Sequence, residues 1–489
     1  MRHRRILPFL AAVAIATIGL GAVAAAGTTL IVLSVDPYTN TSSYHRTEVE
    51  PDSFAFGSTI VDAFQVGRFT DAGSSNIGWA TSTDGGATWT NGFLPGITKY
   101  GTPAGPYDSV SDPSVAYDAA HGVWLIHSLP INLPSTVTPE TLVSRSTDGG
   151  LTWGPPIHVT GGSGNNFDKT WIACDDWQAS PFYGRCYAEV DDLNAGNRLR
   201  LSTSVDGGLT WFDATAPNSS VIGGQPVAQP NGTVVVPIDN GSGSRVQSFV
   251  STNGGASYSG PFTVATISEH GVAGGLRTSA LLSAEVDAEG RVYVVWQDCR
   301  FRASCRSNDI VMSTSLDGQA WSAVVRIPID AVGSTADHFL PGLGVDRGTA
   351  GGAAHLGLTF YYYPQASCSP STCRLSVGFV SSTDGGATWT APVPVAGPFK
   401  NTWLPNTSSG RMVGDYMSTS FSGGVAWPAF IGARSGSCVL GQVTSCRESA
   451  LTVVGGLAAG LGRTVAVAAD RPVALGQSDN RGVELQARR

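Results

Sequence analysis

The sequence predicts an all-β fold, a β-propeller of four-stranded blades repeated around an axis. Three observations carry that expectation. One motif, Ser-x-Asp-Gly-Gly-x-Thr-Trp, recurs with its aspartate at 84, 148, 206 and 384. A copy one residue shorter is centred on Asp317 and an eroded copy on Asn253, so the steps are 64, 58, 47, 64 and 67 residues. The composition is rich in glycine (61) and tryptophan (12) and only 13% charged over 489 residues, which suits many tight turns and excludes disorder. Apolar and β-branched runs of strand length stand at matching places ahead of the motifs.

In chain order the N-terminus comes first. Met1–Arg5 is basic, and residues 6–35 carry no charge. With Ala24-Ala25-Ala26 these form a secretory signal over 1–26, cleaved after Ala26. The uncharged run continues to Val35, long enough (~20 apolar residues suffice) to act instead as an uncleaved membrane tether. The propeller is expected over 38–455, and the tail 456–489 has no assignment. Eight cysteines fall into four neighbouring pairs: Cys174 with Cys186, Cys299 with Cys305, Cys368 with Cys373, and Cys438 with Cys446. Each pair brackets a hairpin loop, so local disulfides and a secreted or cell-surface location are expected.

Each blade opens on a polar residue that leads into small and apolar ones. Seven such starts occur, near Asp52, Asp112, Asp168, Gln225, Arg277, Asp337 and Asp415. Second strands follow at Thr59–Phe64, Val123–His127, Cys186–Val190, Thr233–Pro237, Val292–Trp296, Leu356–Tyr363 and Val425–Phe430. Seven starts favour seven blades, with six as the alternative. The last unit has three strands and no motif, and residues 38–50 are expected to supply its fourth.

The motif has a local physical logic. Asp-Gly-Gly makes a tight turn in which glycine takes positive φ without steric cost. The Asp and Ser side chains pin it through backbone N–H groups, and the Trp packs on the sheet. The pattern resembles the Asp-box (BNR) repeat of sialidases and related propellers, over roughly residues 45–455. The resemblance implies that the boxes lie on outer turns, away from any active site.

Inner strands line a propeller's channel, so their starts are the places to look for chemistry. They read Pro51-Asp52, Asp112-Pro113, Asp168-Lys169, Gln225-Pro226, Arg277-Thr278, Asp337-His338 and Asp415-Tyr416. Such groups can simply bond backbone amides at a rim. They can also form a ring of carboxylates and cations, in which two carboxyls flanking a glycosidic bond act as acid and as base or nucleophile. The resemblance implies an Asp acid, a Tyr nucleophile activated by Glu, and three arginines for a substrate carboxylate. Asp112, Asp168, Asp415 and Tyr416 are the catalytic candidates on that basis. Arg277, Arg411, Lys169, His338, Asp52 and Asp337 are the substrate-binding ones.

The chain departs from the family pattern. The first inner strand, Glu50–Phe56, lacks the arginine of the Phe/Tyr-Arg-Ile-Pro motif, and Arg326-Ile327-Pro328 follows a late box on an outer strand. No glutamate stands in an evident position to activate Tyr416. The loop Asp298–Arg306, with three arginines, is either solvated or anion-binding.

No metal-ligand spacing and no cofactor motif are present. The net charge of −8 argues against nucleic acid as a partner. The expectation is a monomer that meets a glycan or glycoconjugate. It is either a sialidase-like glycoside hydrolase with its site at the channel mouth or a non-catalytic carbohydrate- or protein-binding surface propeller.

Overall fold

A computed structural model describes residues 28–461 and 464–467. The expected signal at 1–26 and most of the 456–489 tail lie outside the described residues. Within them, helix is limited to short 3-10 turns, and none is long and apolar enough to cross a membrane. The protein is all-β.

The strands form successive antiparallel sheets. The first holds Glu48–Phe56, Thr59–Arg68, Ser74–Ser82 and Thr90–Phe93. The second holds Ser109–Asp118, Val123–Ile131, Glu140–Ser146 and Ile157–Gly161, and touches the first through one bridge, Ser74 to Val110. The third runs Phe167–Cys174, Cys186–Asp192, Arg198–Ser204 and Phe212–Asp213. In the fourth, Val221–Ile222 and Val227–Ala228 share the inner edge of Val234–Asn240, followed by Arg245–Ser251 and Ser259–Thr266. The fifth has Ser283–Val286, Val292–Asp298, Asp309–Ser315 and Val325–Arg326. The sixth has Asp337–Val345, Leu356–Tyr363, Leu375–Ser382 and Val393–Phe399.

The seventh corrects the expected closure. Ser418–Ser422, Val425–Ala433 and Glu448–Val453 are completed by Leu30–Val32, with Leu30 opposite Val453 and Val32 opposite Leu451. Residues 38–47 run as a connection, and Glu48 already opens the first inner strand. The apolar run read as a signal or tether therefore ends in a sheet edge. The fifth inner strand also starts later than expected, at Ser283, and Arg277 lies on the segment leading into it.

Each inner strand packs on the next, and Ser418–Ser422 packs on Glu48–Phe56. Side chains staple the neighbours. Asp52 accepts from Val115 N at 2.7 Å, Gln225 from Ala284 N at 2.9 Å, Ser283 from Leu343 N at 3.0 Å, and Ser418 donates to Ser53 O at 3.2 Å. These four buried side chains thus find partners in the adjacent sheet, which removes the desolvation cost of leaving those groups unpaired.

The motif turns are built alike. Asp84 accepts from Thr88 N at 2.8 Å and from its hydroxyl at 2.7 Å, while Ser82 Oγ accepts from Gly86 N at 2.8 Å. Asp148, Asp206 and Asp384 repeat the pattern. The second glycine is where another sheet comes close. A methyl at Gly150 would meet Val61 of the first sheet at 2.8 Å, and one at Gly86 would meet Trp427 of the seventh at 2.1 Å.

All four expected disulfides are formed, each between sequence neighbours. Cys174 bonds Cys186 across the hairpin of the third sheet. Cys299 bonds Cys305 in the arginine-rich loop of the fifth sheet. Cys368 bonds Cys373 in the loop before Leu375–Ser382. Cys438 bonds Cys446 in the loop before Glu448–Val453. These eight cysteines are therefore structural staples and take no part in the charged site described below. Such bonds persist in oxidising compartments.

Candidate functional site

Four inner strands open on the same irregularity. The pairing register slips between Val49 and Asp52, Ser111 and Ser114, Asp168 and Trp171, and Phe339 and Pro341. Inside each slip one residue has positive φ: Glu50 (54°), Asp112 (49°), Lys169 (55°) and Leu340 (49°). Non-glycine residues pay strain there, and a bulge re-aims a side chain. The bulges make Glu50, not Asp52, the equivalent of Asp112 and Lys169.

These side chains converge with others. Arg277 Nε donates to Asp415 Oδ1 at 2.8 Å, and its Nη2 donates to Asp415 Oδ2. Lys169 Nζ donates to that same Oδ2. Asp112 accepts from Lys169 N at 3.1 Å and from Ser111 Oγ at 2.6 Å. Gln65 links Ser111 to Glu50. The charged atoms are deeply placed: the side chains of Asp415 and Lys169 are 5% and 9% exposed, and that of Arg277 is 24% exposed. Asp168 is half-buried at the rim.

The groups hold different protonation preferences. Burial favours the neutral form of Asp415, but Arg277 and Lys169 overcome it and keep this carboxyl well below the usual range. Burial, with Asp112 and Asp415 nearby, pushes Glu50 up to about 8. Burial also raises Asp168, against the opposing pull of Lys169. One carboxylate is therefore firmly ionised beside carboxyls that hold protons more readily. A small cleft of about 20 Å³ opens beside them, lined by Lys169, Trp171, Gln225, Leu281 and Tyr416 among others.

Asp112, Asp168, Lys169, Arg277 and Asp415 thus come together. Several other candidates do not join them. Tyr416 itself is a wall: its ring meets Trp171 edge-on at 5.2 Å, its hydroxyl donates to Pro113 O at 2.9 Å, and burial raises its pKa. A phenol so held is a poor nucleophile. Asp52 staples two strands, as described above. Arg411 donates to Leu404 O, and its own carbonyl accepts from Arg277 N.

His338 and Asp337 belong to a separate cluster. Asp337 accepts from Asn308 N at 2.7 Å, and burial depresses His338 to about 4. His338, Asp309 and Asp330 have ligand atoms within 4.8 Å of one another, the one such group among the described residues. Arg302 and Arg326 pair with both carboxylates there, Arg326 to Asp309 at 2.8 Å. Two guanidiniums already neutralise the acids, so the cluster reads as a structural ion network rather than a metal site. It also accounts for the arginine-rich loop, whose Arg302 is fully buried, and for Arg326.

Glu50 and Arg68 are the residues that sequence reasoning missed. Arg68 ends the second strand of the first sheet, donates to Met412 Sδ and Gly73 O, and is lowered to about 10 by burial. The Glu-Pro pair at 50–51, mirroring Asp112-Pro113, was the available signal for Glu50.

No family model matches the chain, and no curated protein matches it. Among solved structures, a protein of unknown function from Dyadobacter fermentans is 17% identical, covering 73% of this chain and 100% of its own, with a TM-score of 0.45. The Hadza microbial sialidase Hz136 is 16% identical over 72% of this chain and 66% of its own, at 0.44. The endosialidase of phage phi92 is 12% identical over 93% of this chain and 72% of its own, at 0.48. At these scores the likeness is slight.

Proposed function

We propose that the chain is an exported, sialidase-like β-propeller of seven blades that hydrolyses a glycosidic bond at the mouth where the inner strands begin. The observation that supports this best is Asp415, ionised between Lys169 and Arg277 beside the half-buried carboxyl of Asp168. Glycoside hydrolysis needs one carboxyl to protonate the leaving oxygen and one carboxylate to meet the positive charge that develops on the sugar. Asp168 takes the first role and Asp415 the second. Trp171 and Tyr416 offer apolar surface to the sugar ring. Lys169 and Arg277 keep Asp415 charged.

The arginines argue for a neutral glycan over a sialoside. Arg277 is tied to Asp415, Arg68 to Met412 and Gly73, and Arg411 to Leu404. No set of free guanidiniums faces the cleft among the described residues. The same self-satisfied pairing supports a second reading, a glycan-binding propeller without catalysis.

The test is turnover of fluorogenic glycosides, neutral and sialylated, by wild type and by Asp168→Asn and Asp415→Asn. A neutral glycoside cleaved by wild type, and at least about 100-fold more slowly by Asp168→Asn, is expected. Binding on a glycan array with no turnover would replace hydrolysis by recognition.

A further inference from the structure

The inner strands have a second set of ends. Asp415 stands before Ser418–Ser422, and Phe421 lies six residues on, about 20 Å along an extended chain. At that level a pocket of about 320 Å³ opens. Its walls come from the ends of the first, fifth, sixth and seventh inner strands and from the loop after the third. None of its lining residues belongs to the Asp415 cluster.

Aromatic surface dominates one side. Phe54, Phe56, Trp177 and Phe421 all line the pocket. Trp177 is fixed by its ring N–H, which donates to Ala228 O at 2.7 Å. Phe56 leans on Tyr117 with centroids 4.6 Å apart. Arg347 crosses the pocket with its guanidinium 4.5 Å from the Trp177 ring and 5.6 Å from Phe54, and its Nη1 reaches Asp176 at 3.2 Å. Stacking and pairing together hold that planar group in place.

Polar groups converge on the same space. Glu285 is half-buried, lines the pocket and forms no ion pair among the described residues. Burial raises its carboxyl, and the field of Arg347 only partly offsets this. Asp346 adds a carboxylate at the rim, already turned toward Gly348 N at 3.0 Å. The charges of Arg347 and Asp176 cancel.

The occupant this lining suits has apolar faces for the rings and hydroxyls for the planar carboxyl and guanidinium groups. A small cation would face Arg347, and an anion would face Asp176, Glu285 and Asp346. The volume lies at the lower end of the roughly 300–1,000 Å³ typical of small-molecule sites, room for a single sugar ring. We infer that the far mouth is a second saccharide site, for an uncharged pyranose, built on Trp177, Phe54 and Phe56 with Glu285 and Arg347 reading ring hydroxyls. It is independent of catalysis at the other mouth.

Calorimetric titration of the whole chain with cellobiose, maltose, lactose and chitobiose tests this, using wild type, Glu285→Gln, Phe56→Ala and Asp168→Asn. Phe56 is 41% exposed and its ring contact is with the partly exposed Tyr117, so its truncation leaves the fully buried packing in place. The expected result is binding of at least one disaccharide that weakens tenfold or more in Glu285→Gln and in Phe56→Ala but not in Asp168→Asn. Binding lost only in Asp168→Asn would assign the sugar to the first mouth and overturn the inference. So would no binding by wild type at millimolar sugar, or equal binding by all four proteins. Turnover by Asp168→Asn reports separately on the hydrolase reading, so the two ideas fail independently.

Discussion

Arg277 and Asp415 meet in a two-point ion pair that joins the approach to the fifth sheet with the start of the seventh, 138 residues further along the chain. Lys169 brings the third sheet to the same carboxylate. Three distant segments are thus fixed by one side chain.

Removing that charge leaves Lys169 buried beside Arg277 without its main partner. Breaking a buried pair by deleting one member costs about 3–5 kcal/mol. Asp415→Asn is therefore expected to lower unfolding stability by that order, measured by urea denaturation. A loss under about 1 kcal/mol would mean that Asp112 and Asp168 satisfy the lysine unaided.

Stability should fall as pH rises through neutrality. Burial pushes Glu48 and Glu50 up to about 8, and Asp52 and Asp337 up to about 7. Unfolded carboxyls titrate near 4, so between about pH 4 and pH 8 the folded chain binds more protons than the unfolded one. These groups stabilise fully below about pH 4, and that contribution is lost as pH climbs through 7 to 8. Asp415 has the opposite sign, and its contribution is lost only in strong acid. Tm by calorimetry is expected to be higher at pH 5 than at pH 8.5. An equal or reversed order would contradict the burial of these carboxyls.

Two adjacent glycines should respond differently to one methyl. Gly85 (φ 67°) has open space around an added Cβ, whereas at Gly86 (φ 84°) it would strike Trp427. Gly85→Ala carries backbone strain alone, about 1–3 kcal/mol, and Gly86→Ala adds overpacking of a similar size. Thermal unfolding should rank Gly86→Ala clearly below Gly85→Ala. Equal losses would mean that the first and seventh sheets do not meet there.

The bond between Cys174 and Cys186 closes a 12-residue separation between neighbouring strands of the third sheet. A loop of that size corresponds to about 3 kcal/mol of restricted unfolded-chain freedom. The double variant Cys174→Ala/Cys186→Ala should lose about 2–4 kcal/mol in chemical denaturation while keeping the native circular dichroism. A negligible loss would show that the sheet alone holds this hairpin.

Local features are legible in the sequence and distant ones are not. The box turns and the cysteine pairs, such as Cys368 with Cys373, involve residues a few positions apart, so spacing alone identifies them. Asp112, Asp168, Lys169 and Asp415 can be found because strand starts share a level in a radial array. Asp337 and His338 share that level yet turn to Asn308 and to Arg302, Asp309 and Asp330, and nothing in their spacing shows which neighbour wins. Glu50 escapes by two residues because a bulge adds residues without leaving a mark in hydrophobic periodicity. Leu30–Val32 reads as part of an apolar leader, since a strand and a leader have the same composition.

That short strand ties completion of the seventh sheet to two segments far apart in the chain. Glu448–Val453 leaves the ribosome about 400 residues after its partner Leu30–Val32. At roughly 5–20 residues per second, the opening strand waits on the order of 20–80 s for its sheet. Six sheets can form in turn, while the seventh stays an unfinished edge until both parts of the chain are present. A nascent or C-terminally clipped chain therefore exposes an unpaired, apolar strand, the kind of edge that chaperones hold and that aggregates recruit.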